Sequence, residues 1–138
     1  MSDTTAGIRV NAQTTFSSHM DHLAAGRGTD WVNLFTEDAV LEFPYAPKGY
    51  PSRVAGRPAL LAHLEGFSKT FQVEFTELHY YETVDPSLVI AQLKCTGSAL
   101  ATGRPYDQTY LSVVETKDGL ISRYVDYWNP QVVTDAVA

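Results

Sequence analysis

The second half of the chain contains four long segments rich in valine, isoleucine, threonine and aromatic residues, and this pattern constrains the fold more than any other feature. We predict strands over residues 72–81, 88–100, 106–116 and 120–128. Turn sequences with glycine, proline or aspartate separate these segments. Consecutive strands are therefore expected to pair as a meander in a mostly antiparallel sheet.

The first half carries helical signals instead. Apolar residues recur at helical spacing over residues 11–25, a short second helix follows the glycines after that segment, and a third helix is predicted over residues 58–69. A strand over residues 39–43 lies between the second and third helices, and a proline-rich loop over residues 44–58 follows it. Helices first and a meander afterwards indicate the α+β class, with a curved sheet packed on three N-terminal helices.

Length and composition narrow the range of functions. The 138 residues fit a single domain, residues 1–138, in which segments 1–8 and 131–138 are expected to be flexible tails. A net charge of -6 without a cluster of lysine and arginine argues against a nucleic-acid partner. Neither a signal sequence nor a long apolar run is found, so we expect a cytoplasmic protein without membrane contact. The single cysteine, Cys95, has no partner for an intrachain disulfide.

The last predicted strand holds a carboxylate between two aromatic side chains. Because strand residues alternate between faces, Tyr124, Asp126 and Trp128 lie on the same face. A carboxylate in such surroundings is either held by partners or changed in pKa, and a raised pKa makes an aspartate suitable as a general acid or base. This strand therefore predicts a pocket with Asp126 in its wall.

The chain also carries an ordered series of motifs. Two helices are followed by LFTEDAVLEFPYAP at residues 34–47, GRPALLAHLEGF at 56–67 and GLISRYVDYWNP at 119–130. This series resembles the nuclear transport factor 2-like superfamily, in particular its SnoaL-like branch, over about residues 10–130. The resemblance implies a cone-shaped barrel with a deep apolar pocket, and a homodimer. It implies little about chemistry, because the superfamily contains isomerases, cyclases, dehydratases, hydrolases and non-catalytic binding domains.

Two familiar catalytic sets of this superfamily are not retained. The resemblance to ketosteroid isomerase places His19, Phe43 and Leu111 where that enzyme has its tyrosine and two aspartates, so both the base and the oxyanion donor of its mechanism are missing. The resemblance to limonene epoxide hydrolase retains only Asp126 of five functional residues. The other four positions hold Leu41, Phe43, Leu93 and Cys95.

Asp126 and His63 match the phenazine-biosynthesis A/B proteins of the same superfamily. In those proteins a glutamate precedes an aromatic residue, an apolar residue and Asn-Pro, and the corresponding stretch here runs from Asp126 to Pro130. A histidine seven residues after the glycine of a Gly-Arg helix start corresponds to His63. Their serine one turn later is replaced by Phe67, so the resemblance does not carry over their substrate or reaction.

These residues lead to two alternative functions. One is a cofactor-independent acid/base enzyme, of the isomerase, cyclase or dehydratase type, in which Asp126 moves a proton on a small apolar molecule and His63 or His19 is the proton partner. The alternative is a non-catalytic small-molecule-binding or assembly domain on the same fold. No metal is expected, because His19 and His22 lack a third ligand nearby, and no nucleotide-binding motif is found that would indicate a cofactor.

The predicted pocket is lined by apolar and aromatic side chains, among them tyrosines whose hydroxyls can orient a carbonyl group. Such a lining favours steroid-like, terpenoid or polyaromatic ligands over sugars and nucleotides. The residues predicted to bind the ligand are Leu41, Phe43, Tyr45, Leu93, Tyr106, Tyr110, Leu111, Tyr124 and Trp128.

Overall fold

The computed structural model describes residues 4–138, in which helices pack against one six-stranded sheet. The α+β class predicted from the sequence is confirmed. The helices are α1 (Thr5–Ala25), α2 (Gly28–Val32), α3 (Arg57–Thr70) and α4 (Pro130–Val137). The strands are β1 (Phe35–Glu42), β2 (Arg53–Ala55), β3 (Phe71–Tyr81), β4 (Leu88–Ala99), β5 (Gln108–Lys117) and β6 (Leu120–Trp128).

The sheet has the strand order β2-β1-β6-β5-β4-β3. Strands β3 to β6 form the predicted antiparallel meander, whereas β1 runs parallel to β6. A parallel pair needs a long connection, and here the segment from β2 through α3 to β5 supplies it. The sheet is therefore mixed, and it is not closed, because β2 and β3 are its two edges. The cone-shaped barrel implied by the resemblance is therefore an open sheet rather than a closed cylinder.

Several boundaries differ from those predicted. Helix α1 begins at Thr5, because the Thr4 side chain caps it by accepting a hydrogen bond from the Gly7 amide at 3.0 Å. The segment expected to be an N-terminal tail is thus helical from Thr5 onward, and residues 1–3 lie outside the described residues. The short strand β2 forms within the segment that was predicted to be a loop.

The prediction of a flexible tail over residues 131–138 was wrong, because helix α4 occupies this segment. The Asn129 side chain accepts a hydrogen bond from the Gln131 amide at 3.0 Å, and Pro130 stands in the first turn, which is a typical helix start. Val133 and Ala136 are buried. Packing and capping together hold the C-terminal segment against the domain.

The core lies between the helices and one face of the sheet, which we call the inner face. Its fully buried large side chains include Phe16 of α1, Trp31 of α2, Phe35 of β1 and Leu60 and Leu64 of α3. These residues belong to one buried apolar cluster. No helix among the described residues is long and apolar enough to span a membrane.

Candidate functional site

A cavity of about 470 Å³ opens beside this core, between the inner face of the sheet and helices α1, α3 and α4. Its volume is in the range that binds drug-sized molecules. All but two of the predicted site residues line it. They are His19, Leu41, Phe43, His63, Leu93, Tyr106, Tyr110, Tyr124, Asp126 and Trp128.

The two exceptions, Tyr45 and Leu111, lie on the opposite, outer face of the sheet. Leu111 pairs with Tyr127 across β5 and β6 and is 39% exposed. Because Tyr110 points inward, strand alternation turns Leu111 outward. Tyr45 follows the end of β1, is 60% exposed, and its ring centroid lies 5.6 Å from that of Tyr127. Their prediction as pocket residues is corrected by these positions.

Asp126 lies in β6 directly opposite Ser112 of β5. The Ser112 hydroxyl donates a long hydrogen bond, 3.4 Å, to Oδ1 of the carboxyl group, whereas Oδ2 has no hydrogen-bond partner among residues 4–138. Burial raises the pKa of Asp126 to about 8, and the Ser112 bond opposes this rise. At pH 7 the group is therefore mostly protonated, with roughly one carboxyl in ten ionised.

A chain of buried hydrogen bonds leads from Asp126 back to the helices. The Tyr124 and Ser112 hydroxyl oxygens are 2.9 Å apart, and His19 Nε2 lies 3.1 Å from the Tyr124 hydroxyl. The Trp31 indole N–H donates to His19 Nδ1 at 2.7 Å. Burial lowers the pKa of His19 to about 3, so its ring is neutral. Both of its nitrogens are occupied, and it reaches Asp126 only through two hydroxyl groups.

His63 enters the cavity from α3. Its ring packs against Phe43 with 5.1 Å between the ring centroids. Burial lowers the pKa of this half-buried histidine, so the neutral imidazole predominates at pH 7. Within the described part of the chain its ring forms no hydrogen bond, which leaves both nitrogens available to a ligand. His63 and Asp126 thus share the cavity wall, and no hydrogen bond joins the two side chains.

Two tyrosines supply further hydroxyl groups. The Tyr106 and Tyr110 hydroxyl oxygens are 2.7 Å apart, and burial raises the pKa of both side chains. Both therefore stay protonated, and because one O–H is used between them, the other O–H is free to donate. No lysine or arginine side chain is found among the described residues that line the cavity. Its polar groups are therefore neutral donors and acceptors, apart from Asp126 when it ionises.

Sequence reasoning missed Ser112, Trp31 and part of the lining. Ser112 could have been found, because it stands two residues after the inward-facing Tyr110 and so shares its face. The hydrogen bond from Trp31 to His19 depends on how α1 packs against α2, so no local pattern in the sequence indicates it. The other lining residues that were missed are Leu23, Tyr50, Pro51, Gly66, Phe67, Thr70, Phe71, Phe75, Val133 and Val137.

Comparison with known proteins defines the family. The SnoaL-like domain family matches residues 16–124, which is most of the chain. The chain belongs to the SnoaL-like domain family. This SnoaL-like protein is 46% identical to the uncharacterised protein YesE of Bacillus subtilis over 107 residues, covering 77% of this chain and 73% of YesE. It is also 40% identical to the uncharacterised PhzA/B-like protein PA3332 of Pseudomonas aeruginosa over 121 residues, covering 88% and 86% of the two chains.

Solved structures share the fold. A Bacillus subtilis protein described as a proposed isomerase is 41% identical to this SnoaL-like chain, with a TM-score of 0.88 over 92% of both chains. The phenazine biosynthesis-related protein PhzB2 of Pseudomonas aeruginosa is 22% identical, with a TM-score of 0.80 over 96% of this chain and 88% of PhzB2. Rv0760c of Mycobacterium tuberculosis, solved with estradiol-17beta-hemisuccinate, is 17% identical, with a TM-score of 0.77 over 88% and 96%. The last two comparisons show the fold alone.

Proposed function

We propose that this chain is a cofactor-independent acid/base enzyme, of the isomerase, cyclase or dehydratase type, with Asp126 as its proton-transfer group. The substrate is an uncharged, apolar, carbonyl-containing or polycyclic small molecule. The observation that carries this proposal is the position of Asp126 in the wall of an apolar cavity, with Oδ1 held by Ser112 and Oδ2 left for a ligand.

The acidity of Asp126 suits proton transfer near neutral pH. With a pKa of about 8, its ionised form is a stronger base than an ordinary aspartate, and its protonated form is abundant at pH 7. As a base, it removes a proton from the carbon next to a carbonyl group, and the electron pair of the broken C–H bond moves toward the carbonyl oxygen. The newly protonated Asp126 then returns the proton to another carbon or to a leaving oxygen.

The carbonyl oxygen needs a donor when negative charge develops on it. The free O–H of the Tyr106 and Tyr110 pair supports such a role, because both tyrosines stay protonated and line the cavity. Neutral His63 is a second donor that can face the ligand. His19 is less suited to proton exchange with a ligand because both of its nitrogens are engaged. We therefore assign His19 to positioning.

Cavity size and charge support the substrate class. A volume of about 470 Å³ accommodates a molecule of several fused rings. Rv0760c, which shares the fold, was solved with a steroid derivative, so a cavity in this scaffold can hold a ligand of that size. Without a lysine or arginine among the described lining residues, a ligand carboxylate would be desolvated without a cationic partner, which is costly. Neutral ligands are thus favoured.

The proposal is tested by deuterium exchange. Uncharged cyclic ketones are incubated with the protein in D₂O, and NMR follows deuterium uptake at the carbon next to the carbonyl group. We expect Asp126→Asn to slow the protein-dependent exchange at least about 100-fold, while ketone binding measured by thermal shift changes little. Asp107→Asn, which alters an exposed aspartate, is the control and should exchange at the wild-type rate. Full exchange by Asp126→Asn contradicts the proposal.

A second candidate function is ligand binding without chemistry. It is favoured by the distance between the predicted proton partners: His63 and Asp126 are not hydrogen-bonded, and His19 is separated from Asp126 by Tyr124 and Ser112. This alternative predicts that wild-type protein binds the ketones and gives no exchange above the buffer rate at any pH between about 6 and 9. The same experiment therefore separates the two functions.

The homodimer and the cytoplasmic location remain predictions. Dimerisation through the outer face is supported by the exposed side chains of Tyr81 and Leu111.

A further inference from the structure

The buried chain of hydrogen bonds has a direction that can be derived from its members. The indole N–H of Trp31 can only donate, so His19 Nδ1 must accept and carries no hydrogen. A neutral imidazole has one N–H, which is then on Nε2 and points to the Tyr124 hydroxyl oxygen. Since this oxygen accepts from His19, its own hydrogen is available for the Ser112 oxygen.

The same reasoning extends to the carboxyl group. The Ser112 hydroxyl has one hydrogen, and because its oxygen accepts from Tyr124, that hydrogen is directed to Asp126 Oδ1. All donors in the chain therefore point the same way, from the indole to the carboxyl group. The four links are 2.7, 3.1, 2.9 and 3.4 Å long.

We propose that Trp31 is a positioning residue that sets this direction, by holding His19 in its Nε2–H tautomer so that Ser112 donates to Asp126. The role that this arrangement has in turnover rests on the proposed function, whereas the arrangement itself does not. Trp31 acts through three intervening side chains and has no direct contact with Asp126 among the described hydrogen bonds.

Without Trp31 the chain can run in either direction. If His19 carries its hydrogen on Nδ1, Nε2 accepts from Tyr124, whose oxygen then accepts from Ser112, and Asp126 loses its donor. Because the Ser112 bond opposes the rise in the pKa of Asp126, loss of this donor makes the carboxyl group harder to ionise. The active fraction of a base at neutral pH would fall accordingly.

The other titratable groups around Asp126 keep their protonation states when the direction of the hydrogen-bond chain changes. Tyr106 and Tyr110 of the facing segment stay protonated because burial raises the pKa of each. His63 of α3 is neutral at pH 7. No lysine or arginine is among the described lining residues. A shift in Asp126 ionisation would therefore report on the hydrogen-bond chain.

The first test reads the His19 tautomer by ¹⁵N NMR, in which the two ring nitrogens have distinct shifts depending on which one carries hydrogen. In the wild-type protein we expect the pure Nε2–H signature. In Trp31→Phe we expect shifts toward a mixture of both tautomers. Phe35→Leu is the matched control, since it removes buried packing next to Trp31, with 4.6 Å between ring centroids, but no hydrogen bond of the chain. It should keep the wild-type signature.

The second test follows Asp126 ionisation in the ligand-free protein, by NMR of ¹³C-labelled carboxyl groups between pH 5 and 10. Ser112→Ala is expected to raise the midpoint by about half a pH unit, which corresponds to roughly a threefold lower ionised fraction at pH 7. Trp31→Phe should raise it by a smaller amount. The double variant should match Ser112→Ala, because the effect of Trp31 passes through Ser112.

Each result either supports or overturns the proposal. An Nδ1–H signature in wild type overturns it without any variant, and remains available if Trp31→Phe fails to fold. The proposal is also overturned if the change in the Asp126 titration midpoint caused by Trp31→Phe adds fully to that caused by Ser112→Ala. It is likewise overturned if Phe35→Leu changes the His19 ¹⁵N signature as much as Trp31→Phe does, because Trp31 would then act through packing. Both tests use ligand-free protein, so their outcome does not depend on catalysis. If Asp126→Asn leaves ketone exchange unchanged, that result contradicts the proposed function but not the role of Trp31.

Discussion

Strand β6 presents two faces that treat charge in opposite ways. On the outer face, Arg123 forms ion pairs with Glu42 at 2.7 Å and Glu115 at 3.0 Å, and all three side chains keep access to water. On the inner face, Asp126 has no cationic partner among the described lining residues and is held by a neutral hydroxyl. The outer charges are solvated and paired, whereas the inner carboxyl group is desolvated.

This difference indicates which face of β6 carries polar groups that lower the stability of the fold. An exposed ion pair contributes little to the free energy of folding, because water screens it. A half-buried carboxyl group in an apolar cavity without a cation carries a desolvation cost, which appears as the raised pKa of Asp126. Polar groups that destabilise a fold are expected at functional sites rather than at structural ones. The inner face of β6 is therefore the better candidate for chemistry.

The largest expected effect is on the pH dependence of stability. Unfolded aspartate ionises near 3.8 and folded Asp126 near 8, so the native state keeps a proton that the unfolded chain loses across this window. The free energy of unfolding then falls as pH rises, by about 1.4 kcal/mol per pH unit. Asp126→Asn lacks this fall, so between pH 5 and pH 8 its free energy of unfolding, measured with urea, should rise relative to that of wild type by on the order of 4 kcal/mol.

The control for this comparison comes from the outer face. Glu42→Gln removes a carboxylate that Arg123 holds in an accessible ion pair, and it should keep the wild-type change in unfolding free energy between the two pH values. Below about pH 6.5, His19 changes the free energy of unfolding in the opposite direction, because its lowered pKa means that the unfolded chain binds a proton that the folded protein does not. It is present in both proteins, so it cancels in the difference. An unchanged slope in Asp126→Asn would mean that Asp126 is not desolvated.

The sequence predicted the inner face of β6 because the rule behind it is local. Strand alternation places Tyr124, Asp126 and Trp128 together, and the register opposite β5 brings Ser112 to Asp126. The same rule forbids Tyr110 and its neighbour Leu111 from facing one cavity, so both could not be pocket residues. Leu111 was predicted from its resemblance to a ketosteroid isomerase position, whereas strand alternation turns it to the outer face.

Other features depend on packing that no local rule describes. The bond between Trp31 and His19 requires α2 to return against α1 at a particular angle, and the sequence contains no signal for it. Helix α4 is a different case, because Asn129 and Pro130 carry the signal for a helix start. Its role as a cavity wall, through Val133 and Val137, could not be predicted without knowing where β6 ends.

An intermediate effect is expected for a neutral polar group on the inner face. The Gln108 side chain donates to the Asn129 carbonyl at 3.0 Å and accepts from the Asn129 amide at 2.9 Å, and it is 2% exposed. Gln108→Ala leaves both backbone groups without these partners at the start of α4, so we expect a loss of about 2 kcal/mol in urea unfolding. Faster amide hydrogen exchange in α4 should accompany it.

Gln92 provides the matched comparison, because it is the same residue type on the outer face, where it is exposed and accepts from the Tyr81 hydroxyl at 3.0 Å. Gln92→Ala should change the unfolding free energy by no more than about 0.5 kcal/mol. Equal losses for Gln108→Ala and Gln92→Ala would show that polar groups on the two faces do not differ in their energetic importance. A loss at Gln108 without faster exchange in α4 would instead mean that the helix does not depend on this side chain.

The smallest expected effect belongs to the outer ion pairs. Arg123→Ala removes both pairs at once, yet these side chains are accessible to water, so we expect Tm to fall by no more than about 2 °C at low salt. The difference should shrink toward zero near 1 M salt, where screening acts within about 3 Å. Ketone exchange should be unaffected, because Arg123 faces away from the cavity. A large, salt-independent loss of stability or of exchange would mean that charge on the outer face supports Asp126 through the strand, and the separation of the two faces would then fail.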